Sequence, residues 1–261
     1  MAKCIWHVRN CSLFERLSNE QLVSLESHAR TKSFAKGTTI YLPQDEADAL
    51  FLLVSGRVRL GASTPDGKLA ILGFIEAGEL FGELSLIDVS QREERSEAVR
   101  NSVVVMLPKN IICEIMDDSA SLAIGVTKLI GFRRQRVERR LKSLLFRSNR
   151  DRLISLLLDL SEQYGQIMPG LVTKSAVHLD IKLSHQDLAN IIGATRETVT
   201  ITLGEMQQQG LLTIQRQRII LKDISILAAQ VNSIAPIALR SPTNKSSGET
   251  SNLLVVNSGT P

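Results

Sequence analysis

The chain has few of the residues that build disulfide scaffolds, catalytic centres or membrane spans. Its three cysteines are an odd count in a chain without a secretory signal, so we expect no disulfide framework. No Ser-His-Asp set, metal-spaced cluster, dinucleotide glycine pattern or Walker loop occurs, so we expect neither an enzyme nor a metal protein. No apolar run approaches the ~18 residues that a spanning helix needs. These absences predict a cytoplasmic protein that does not bind membranes.

Size and charge are consistent with two domains and a polyanionic partner. The chain has 261 residues, of which 43% are apolar and 22% charged, which is ordinary for a globular protein. The net charge of +4 and the isoelectric point near 9.1 permit binding to a polyanion without requiring it. Lys and Arg are concentrated in residues 133–152, where either a solvated helix face or a binding surface would explain them.

Residues 182–221 have the layout of a winged helix-turn-helix. Two short helical patterns are separated by Gly193, which permits the turn. Ser184 and Thr195 are the expected N-caps of the two helices. Two β-rich runs around a basic turn follow, as expected for a wing. The residues expected to face inward are Leu188, Ala189, Ile191, Ile192, Val199, Leu203 and Met206.

This layout makes double-stranded DNA the expected partner. The second helix opens with Arg196 and Glu197, which suit guanine and cytosine in the major groove. Arg216 and Arg218 in the wing turn are placed to reach phosphates. A helical domain that uses its charges only for solubility is the alternative. The residues that we expect to contact DNA are Ser184, Gln186, Thr195, Arg196, Glu197, Thr200, Ile201, Arg216 and Arg218.

Earlier in the chain, short β runs punctuated by turn residues predict a barrel or jelly roll. The expected strands are 38–42, 49–54, 57–62, 69–75 and 103–107. A helix capped by Ser18 precedes them.

After Pro108 the apolar period becomes helical for roughly six turns, which predicts a seam between two copies of the chain. The alternative is a helix packed only on its own β domain. The expected seam residues are Leu122, Val126, Leu129, Arg133, Val137, Leu141 and Leu144.

The expected fold is therefore α+β: a double-stranded β-helix (jelly-roll) domain at 12–117, a dimerisation helix at 118–146, and a winged helix-turn-helix at 147–228. Residues 236–261 have the composition of a disordered tail.

Three segments make this order of domains resemble the CRP/FNR family of bacterial transcription regulators. They are Gly78-Glu79-Leu80-Phe81-Gly82-Glu83-Leu84-Ser85-Leu86, Glu94-Arg95-Ser96-Glu97-Ala98-Val99-Arg100, and Thr195-Arg196-Glu197-Thr198-Val199. The resemblance implies a homodimer that binds a palindromic operator, contacts RNA polymerase and responds allosterically to a ligand in its N-terminal barrel.

The first two segments are similar to the phosphate-binding cassette of cyclic-nucleotide-binding domains. The resemblance implies that Arg95 and Ser96 bind a phosphate and that Glu83 accepts from a ribose hydroxyl. Cyclic AMP or cyclic GMP is the expected ligand. The alternative is a structural ion pair between Glu83 and Arg95. The expected ligand-binding residues are Gly82, Glu83, Leu84, Arg95 and Ser96.

Departures from the family pattern leave other ligands open. Val137 and Glu138 stand where cyclic-AMP receptors have hydroxyl residues. The cassette is two residues longer, so residues 91–94 are expected to crowd the approach. A sensor of 2-oxoglutarate, a redox sensor using Cys4, His7, Cys11 and Cys113, and a ligand-independent regulator are the alternatives, although Glu83 would repel an acidic ligand. We expect Cys113 to pack in the core.

The DNA-reading helix also departs from the family. Ile201 stands where the resemblance implies a second arginine. The expected half-site is related to TGTGA, with its outer G·C preference kept and discrimination at the inner guanine changed. Ile201 is suited to contact a thymine methyl group.

Overall fold

The computed structural model describes Val8 and residues 11–63, 69–87, 90–167, 176–215 and 218–233. The chain divides into two compact units. The first comprises Met1–Ser148 with Gln186–Arg196, and the second comprises Asn149–His185 with Glu197–Pro261. The predicted tail at 236–261 lies outside the described residues.

The first unit opens with helix α1 (Asn19–His28), whose start is set by a capping box. The Ser18 hydroxyl accepts from the Gln21 backbone N–H at 3.2 Å, and the Gln21 side chain accepts from the Ser18 backbone N–H at 3.0 Å. The predicted cap at Ser18 is confirmed.

Eight strands then form two four-stranded antiparallel sheets, and the predicted jelly-roll fold is confirmed. One sheet has the order β1-β8-β3-β6 and the other β2-β7-β4-β5. The five predicted strands correspond to β2, β3, β4, β5 and β8, while β1, β6 and β7 were not predicted. The strands are β1 (Arg30–Phe34), β2 (Thr39–Tyr41), β3 (Ala49–Ser55), β4 (Arg57–Ser63), β5 (Leu69–Glu76), β6 (Leu80–Phe81), β7 (Arg95–Ala98) and β8 (Ser102–Pro108).

Strand β3 is buried on both faces because it separates two hydrophobic cores. Leu50 and Leu52 belong to a core that includes residues of α1 and of the helices after β8. Phe51 and Leu53 belong to a second core, between the two sheets. Side chains alternate across a strand, so a continuous apolar run supplies both cores at once.

The turn between β3 and β4 depends on Gly56, which has a φ of +96°. A Cβ at this position would meet Ser102 and the carbonyl oxygen of Asn101. We expect Gly56→Ala to lower the free energy of unfolding by at least about 1–3 kcal/mol, the typical cost of one strained backbone position. Gly204→Ala is the control, because Gly204 lies in an exposed helical position with open space around it. Alanine there should stabilise by about 0.5–1 kcal/mol. Chemical unfolding measures both values, and equal effects would contradict the role of the turn.

Two helices follow the sheets: α2 (Lys109–Asp118) and the 27-residue α3 (Ala120–Phe146). Helix α3 is roughly 40 Å long at 1.5 Å per residue. The structure corrects the first part of the predicted seam, since Leu122 and Val126 are fully buried in the core beneath the β sheet. Further along, exposed apolar side chains recur on α3. They are Phe132, Val137, Leu141, Leu145 and Phe146.

The second unit contains most of the winged helix-turn-helix. Its four-stranded sheet has the order β11-β12-β10-β9, and the predicted wing strands pair antiparallel with Gln215 opposite Arg218. The strands β9 and β10 were not predicted. The elements of this region are α4 (Asn149–Tyr164), β9 (Gly165–Ile167), β10 (Val177–Leu179), α5 (His185–Ile192), α6 (Arg196–Gln208), β11 (Leu212–Gln215), β12 (Arg218–Leu221) and α7 (Ile224–Gln230).

The two helices of the motif begin and end where the sequence indicates. Ser184 and Thr195 directly precede α5 and α6, and Gly193 between them has a φ of +68°. Each residue predicted to face inward is buried. In the part of the chain that the structure describes, no helix combines the length and apolarity that crossing a membrane requires.

Candidate functional site

The expected ligand-binding residues of the cassette begin directly after β6, at Gly82. Gly82 has a φ of +74°, and Glu83–Leu86 form a single 3-10 turn in which the Ser85 N–H donates to the Gly82 carbonyl at 3.2 Å. The Leu84 side chain is 41% exposed, whereas Glu83 is buried. The chain therefore makes a short 3-10 turn at this point, and the Glu83 carboxylate is turned inward.

Glu83 is bound by an arginine from the long helix. One amino group of Arg133 donates to the Glu83 carboxylate, and another donates to the carbonyl oxygen of Leu80. Burial lowers the pKa of Arg133 to about 10, so the guanidinium is still charged at neutral pH and offsets the carboxylate. Arg133 and Glu83 are 50 positions apart in the chain, so local sequence patterns do not predict that they pair. The positive charge of Arg133 also weakens the expectation that Glu83 repels an acidic ligand.

Arg92 is a residue beside the cassette that the sequence did not single out for the ligand site. It was expected to crowd the approach to the cassette, but its side chain is buried, with 7% of the residue exposed. One amino group donates to the Gly82 carbonyl at 3.2 Å and the other to the Ala49 carbonyl at 2.6 Å. The guanidinium carbon lies 4.6 Å from the ring centre of Tyr41 and 5.0 Å from that of Phe51. These contacts place a cation directly against the cassette, inside the barrel.

The residues that lengthen the cassette form backbone hydrogen bonds with the loop before β3. The Gln44 N–H donates to the Arg92 carbonyl at 2.8 Å, and the Arg92 N–H donates to the Asp45 carbonyl at 2.9 Å. Ala47 and Ser90 make a similar bond at 3.0 Å. This pairing holds the Arg92 backbone in place while its side chain enters the barrel.

Arg95 and Ser96 lie on β7. Arg95 donates to the Glu97 carboxylate at 3.3 Å, and Arg59 donates to both oxygens of the same carboxylate at 3.0 Å. The alternative of an ion pair between Glu83 and Arg95 is not realised, because Glu83 pairs with Arg133 and Arg95 pairs with Glu97. Ser96 is fully buried and sits opposite Tyr41 in the sheet.

Three buried donors near the cassette have no hydrogen-bond acceptor among the described residues. They are Arg92 Nε, Arg95 Nε and the Ser96 hydroxyl. Buried polar groups are normally paired, since an unmade hydrogen bond costs roughly 1–3 kcal/mol. Such a set of donors suits an acceptor that the chain itself does not supply, and a phosphate would provide several acceptor oxygens.

Helix α6 presents a polar face with one apolar residue on it. Arg196, Glu197 and Thr200 are exposed, and the Ile201 side chain is 62% exposed. Exposure of this isoleucine fits contact with an apolar group such as a thymine methyl. Arg218 is exposed in the wing, whereas Arg216 lies outside the described residues.

Two side-chain contacts involve residues that are expected to contact DNA. The His185 ring nitrogen Nδ1 lies 2.8 Å from the Thr200 hydroxyl. The Gln186 amide donates to the Asn190 side chain at 2.8 Å. Ser184 and Thr195 are exposed at the helix starts. His185 was not singled out from the sequence, because a single histidine carries no motif.

The two described cysteines, Cys11 and Cys113, are both free thiols. Cys11 is buried, and burial raises the pKa of its thiol. The prediction for Cys113 is wrong, because its side chain is only half-buried on α2. Cys4 and His7 lie outside the described residues. Among the described residues, no group of three His, Cys, Asp or Glu side chains is arranged to hold a metal ion.

Comparison with known proteins gives matches over both parts of the chain. Residues 31–119 match the cyclic nucleotide-binding domain family, and residues 151–230 match the Crp-like helix-turn-helix domain family. The chain is 30% identical to the global nitrogen regulator of Synechococcus elongatus over 190 residues, covering 72% of this chain and 83% of that protein.

A second relative is the CRP-like cAMP-activated global transcriptional regulator of Mycobacterium tuberculosis. It is 23% identical, and the match covers 83% of this chain and 94% of that protein. The structure is similar to that of a CRP/FNR family regulator from Thermus thermophilus, with a TM-score of 0.59 and 29% identity, covering 78% of this chain and 99% of that one. The chain has a barrel, a long helix and a winged helix-turn-helix in that order, and it belongs to the CRP/FNR family of transcription regulators.

Proposed function

We propose that the protein is a homodimeric, sequence-specific transcription regulator whose operator affinity is controlled by a small anionic ligand bound in the barrel. A cyclic nucleotide is the ligand class that the domain family supports best. The relative from Mycobacterium tuberculosis is described as cAMP-activated. The observation that carries the ligand site is Arg92, a buried cation held against the cassette glycine.

Arg92 and Ser96 would bind the phosphate from inside the barrel. Both carry a buried donor without an acceptor among the described residues. A cyclic phosphodiester is a monoanion with two free oxygens, and charged acceptors form roughly twice as strong hydrogen bonds as neutral ones. Arg95 is the second candidate, because its Nε is also buried and lacks an acceptor there, while its amino group is bound by Glu97.

Glu83 and Arg133 would connect the ligand to the dimer helix. Arg133 is the point at which α3 is bound to the cassette through a side-chain pair. A ligand hydroxyl that donates to Glu83 would compete with Arg133 for the carboxylate, which would change how α3 is held. Because linkage is reciprocal, the ligand and the operator would each raise the affinity of the other by the same factor.

The exposed apolar side chains of α3 would form the dimer contact. Val137, Leu141 and Leu145 follow one another at four-residue spacing and are each more than half exposed. An apolar stripe of this kind on a long helix is typical of a coiled-coil seam. The two recognition helices of a dimer would read half-sites about 34 Å apart. Contact of the DNA-bound dimer with RNA polymerase stays a prediction.

Calorimetric titration of the full chain with cyclic AMP and cyclic GMP tests the ligand site. We expect Arg92→Gln to weaken binding at least about tenfold, because loss of a charged hydrogen bond to a phosphate costs roughly 1.5–3 kcal/mol. Arg95→Gln tests the alternative arginine. Arg100→Gln is the control, since it removes an exposed arginine of the same segment. Thermal unfolding of each variant shows whether it folds.

The outcomes separate the two arginines. Loss of binding only in the Arg92 variant assigns the phosphate to the barrel interior, and loss only in the Arg95 variant restores the assignment made from the sequence. Unchanged binding in both variants, or no binding by the native chain, would contradict the proposed ligand.

A further inference from the structure

Tyr41 contacts both the arginine that we assign to the ligand and a second charged side chain, Glu94. The Tyr41 hydroxyl donates to the Glu94 carboxylate at 2.7 Å. The same Tyr41 ring lies 4.6 Å from the guanidinium carbon of Arg92. Glu94 is half-buried, and its position in the chain is two residues from Arg92 and two from Ser96. The carboxylate is therefore inside the region where a ligand phosphate would be bound.

The environment keeps Tyr41 as the donor and Glu94 as the acceptor. Burial, together with the neighbouring Glu94 charge, raises the pKa of Tyr41 well above its usual range, so the phenol stays protonated. Burial also raises the pKa of Glu94. The Tyr41 hydroxyl and Arg92 oppose that increase, while Glu93 adds to it. Arg133 completes the set of charged groups that act on Tyr41.

Glu94 also differs from the other carboxylates that act on Arg92. The charges of Asp48, Glu94 and Asp45 all favour the protonated guanidinium. Asp48 and Asp45 are exposed, so solvent and salt screen their charges. Glu94 is enclosed with Arg92 and Tyr41, where a charge is screened much less. The hydrogen bonds of the Arg92 side chain within the described structure go to the neutral carbonyl oxygens of Gly82 and Ala49.

We propose that Glu94 controls the affinity of the barrel for an anionic ligand, as an internal anion that competes with the phosphate of a cyclic nucleotide for Arg92. This inference rests on the proposed ligand site. While Glu94 is ionised, it offsets the charge of Arg92 and repels an incoming phosphodiester. Once Glu94 is protonated, the repulsion is removed and Arg92 is fully available to the ligand. Binding of an anion therefore takes up a proton, and affinity increases as the pH falls.

The test compares Glu94→Gln with Glu93→Gln in the full chain. The two substitutions remove the same charge from adjacent positions, but Glu93 is exposed. Affinity for cyclic AMP and cyclic GMP is measured by calorimetry at about pH 5, toward the usual range of a glutamate carboxyl, and at about pH 8. We expect Glu94→Gln to bind at least about tenfold more tightly than the native chain at the higher pH, with Glu93→Gln unchanged. The native chain should bind more tightly at the lower pH, and Glu94→Gln should lose this pH dependence.

Tyr41→Phe supplies a readout that a merely structural role of Glu94 would not change. The ring is kept, but the donor that lowers the pKa of Glu94 is lost. The pH dependence of ligand affinity should then shift to higher pH. Thermal unfolding of the three variants confirms that each is folded before its affinity is compared.

The outcomes distinguish this inference from the function on which it rests. If the native chain binds a cyclic nucleotide and Glu94→Gln binds no more tightly, Glu94 does not control ligand affinity, while the ligand site stands. An equal gain from Glu93→Gln would also overturn the role of Glu94, because the effect would then be one of overall charge. If neither the native chain nor Glu94→Gln binds at either pH, both proposals fail.

Discussion

Replacing Leu141 by glutamate is expected to convert the protein into a monomer that no longer binds its operator tightly. Leu141 is 54% exposed on α3, between Val137 and Leu145 in the apolar stripe. In a two-helix seam, a glutamate at this position would bury a charge against its own copy, which costs several kcal/mol. Loss of the second half-site contact should reduce operator affinity by about 10²–10⁴-fold, since the two contacts would no longer act together.

Sedimentation equilibrium and operator titration check this result. Val23→Glu is the matched control, because Val23 is 57% exposed on α1, away from the stripe. It makes the same chemical change at an isolated position. A Leu141→Glu protein that sediments as a dimer would contradict the assignment of the seam to α3.

Arg196→Ala is expected to weaken operator binding by roughly 1–3 kcal/mol, which is about 5- to 150-fold. Arg196 opens the recognition helix and is exposed on the face that carries Glu197 and Thr200. A bidentate contact from arginine to guanine contributes about this much discrimination. Its loss should relax the preference at one base pair of each half-site.

Titration of an operator and of random DNA at one salt concentration distinguishes base reading from phosphate binding. We expect Arg196→Ala to lose affinity mainly on the operator. Arg218→Ala, in the wing, serves as the comparison, because a phosphate contact should be lost equally on both DNAs. An equal loss of affinity in the Arg196 variant would show that this residue does not read bases.

Much of the architecture follows from local patterns in the sequence. The turn residues between short apolar runs predict the β domain, because each strand needs only its own alternation and a turn at its end. The helix-turn-helix follows from Gly193 and from apolar spacing on α5 and α6. Short strands such as β6 and β9 were not predicted, since two or three residues carry no measurable period.

The long helix shows what an apolar repeat in the sequence predicts and what it does not predict. Its apolar repeat predicts a continuous helical face, and the helix is present from Ala120 to Phe146. The repeat does not predict which residues pack against that face. Leu122 and Val126 are buried by the core of the same chain, while Val137 and Leu141 are left exposed. Only the packing of the β domain against the first turns of α3 divides one stripe into a buried part and an exposed part.

By itself, the sequence determined the order of the domains, their fold class and the helix that presents Arg196, because propensity, capping and periodicity act within a few residues of one another. Tertiary structure alone decided the side-chain contacts within the cassette. Arg92 meets Gly82 and Ala49, and Arg133 meets Glu83, across separations of 10 to 50 residues in the chain. Burial then sets the charge balance among these groups, since it removes the solvent that would otherwise screen them.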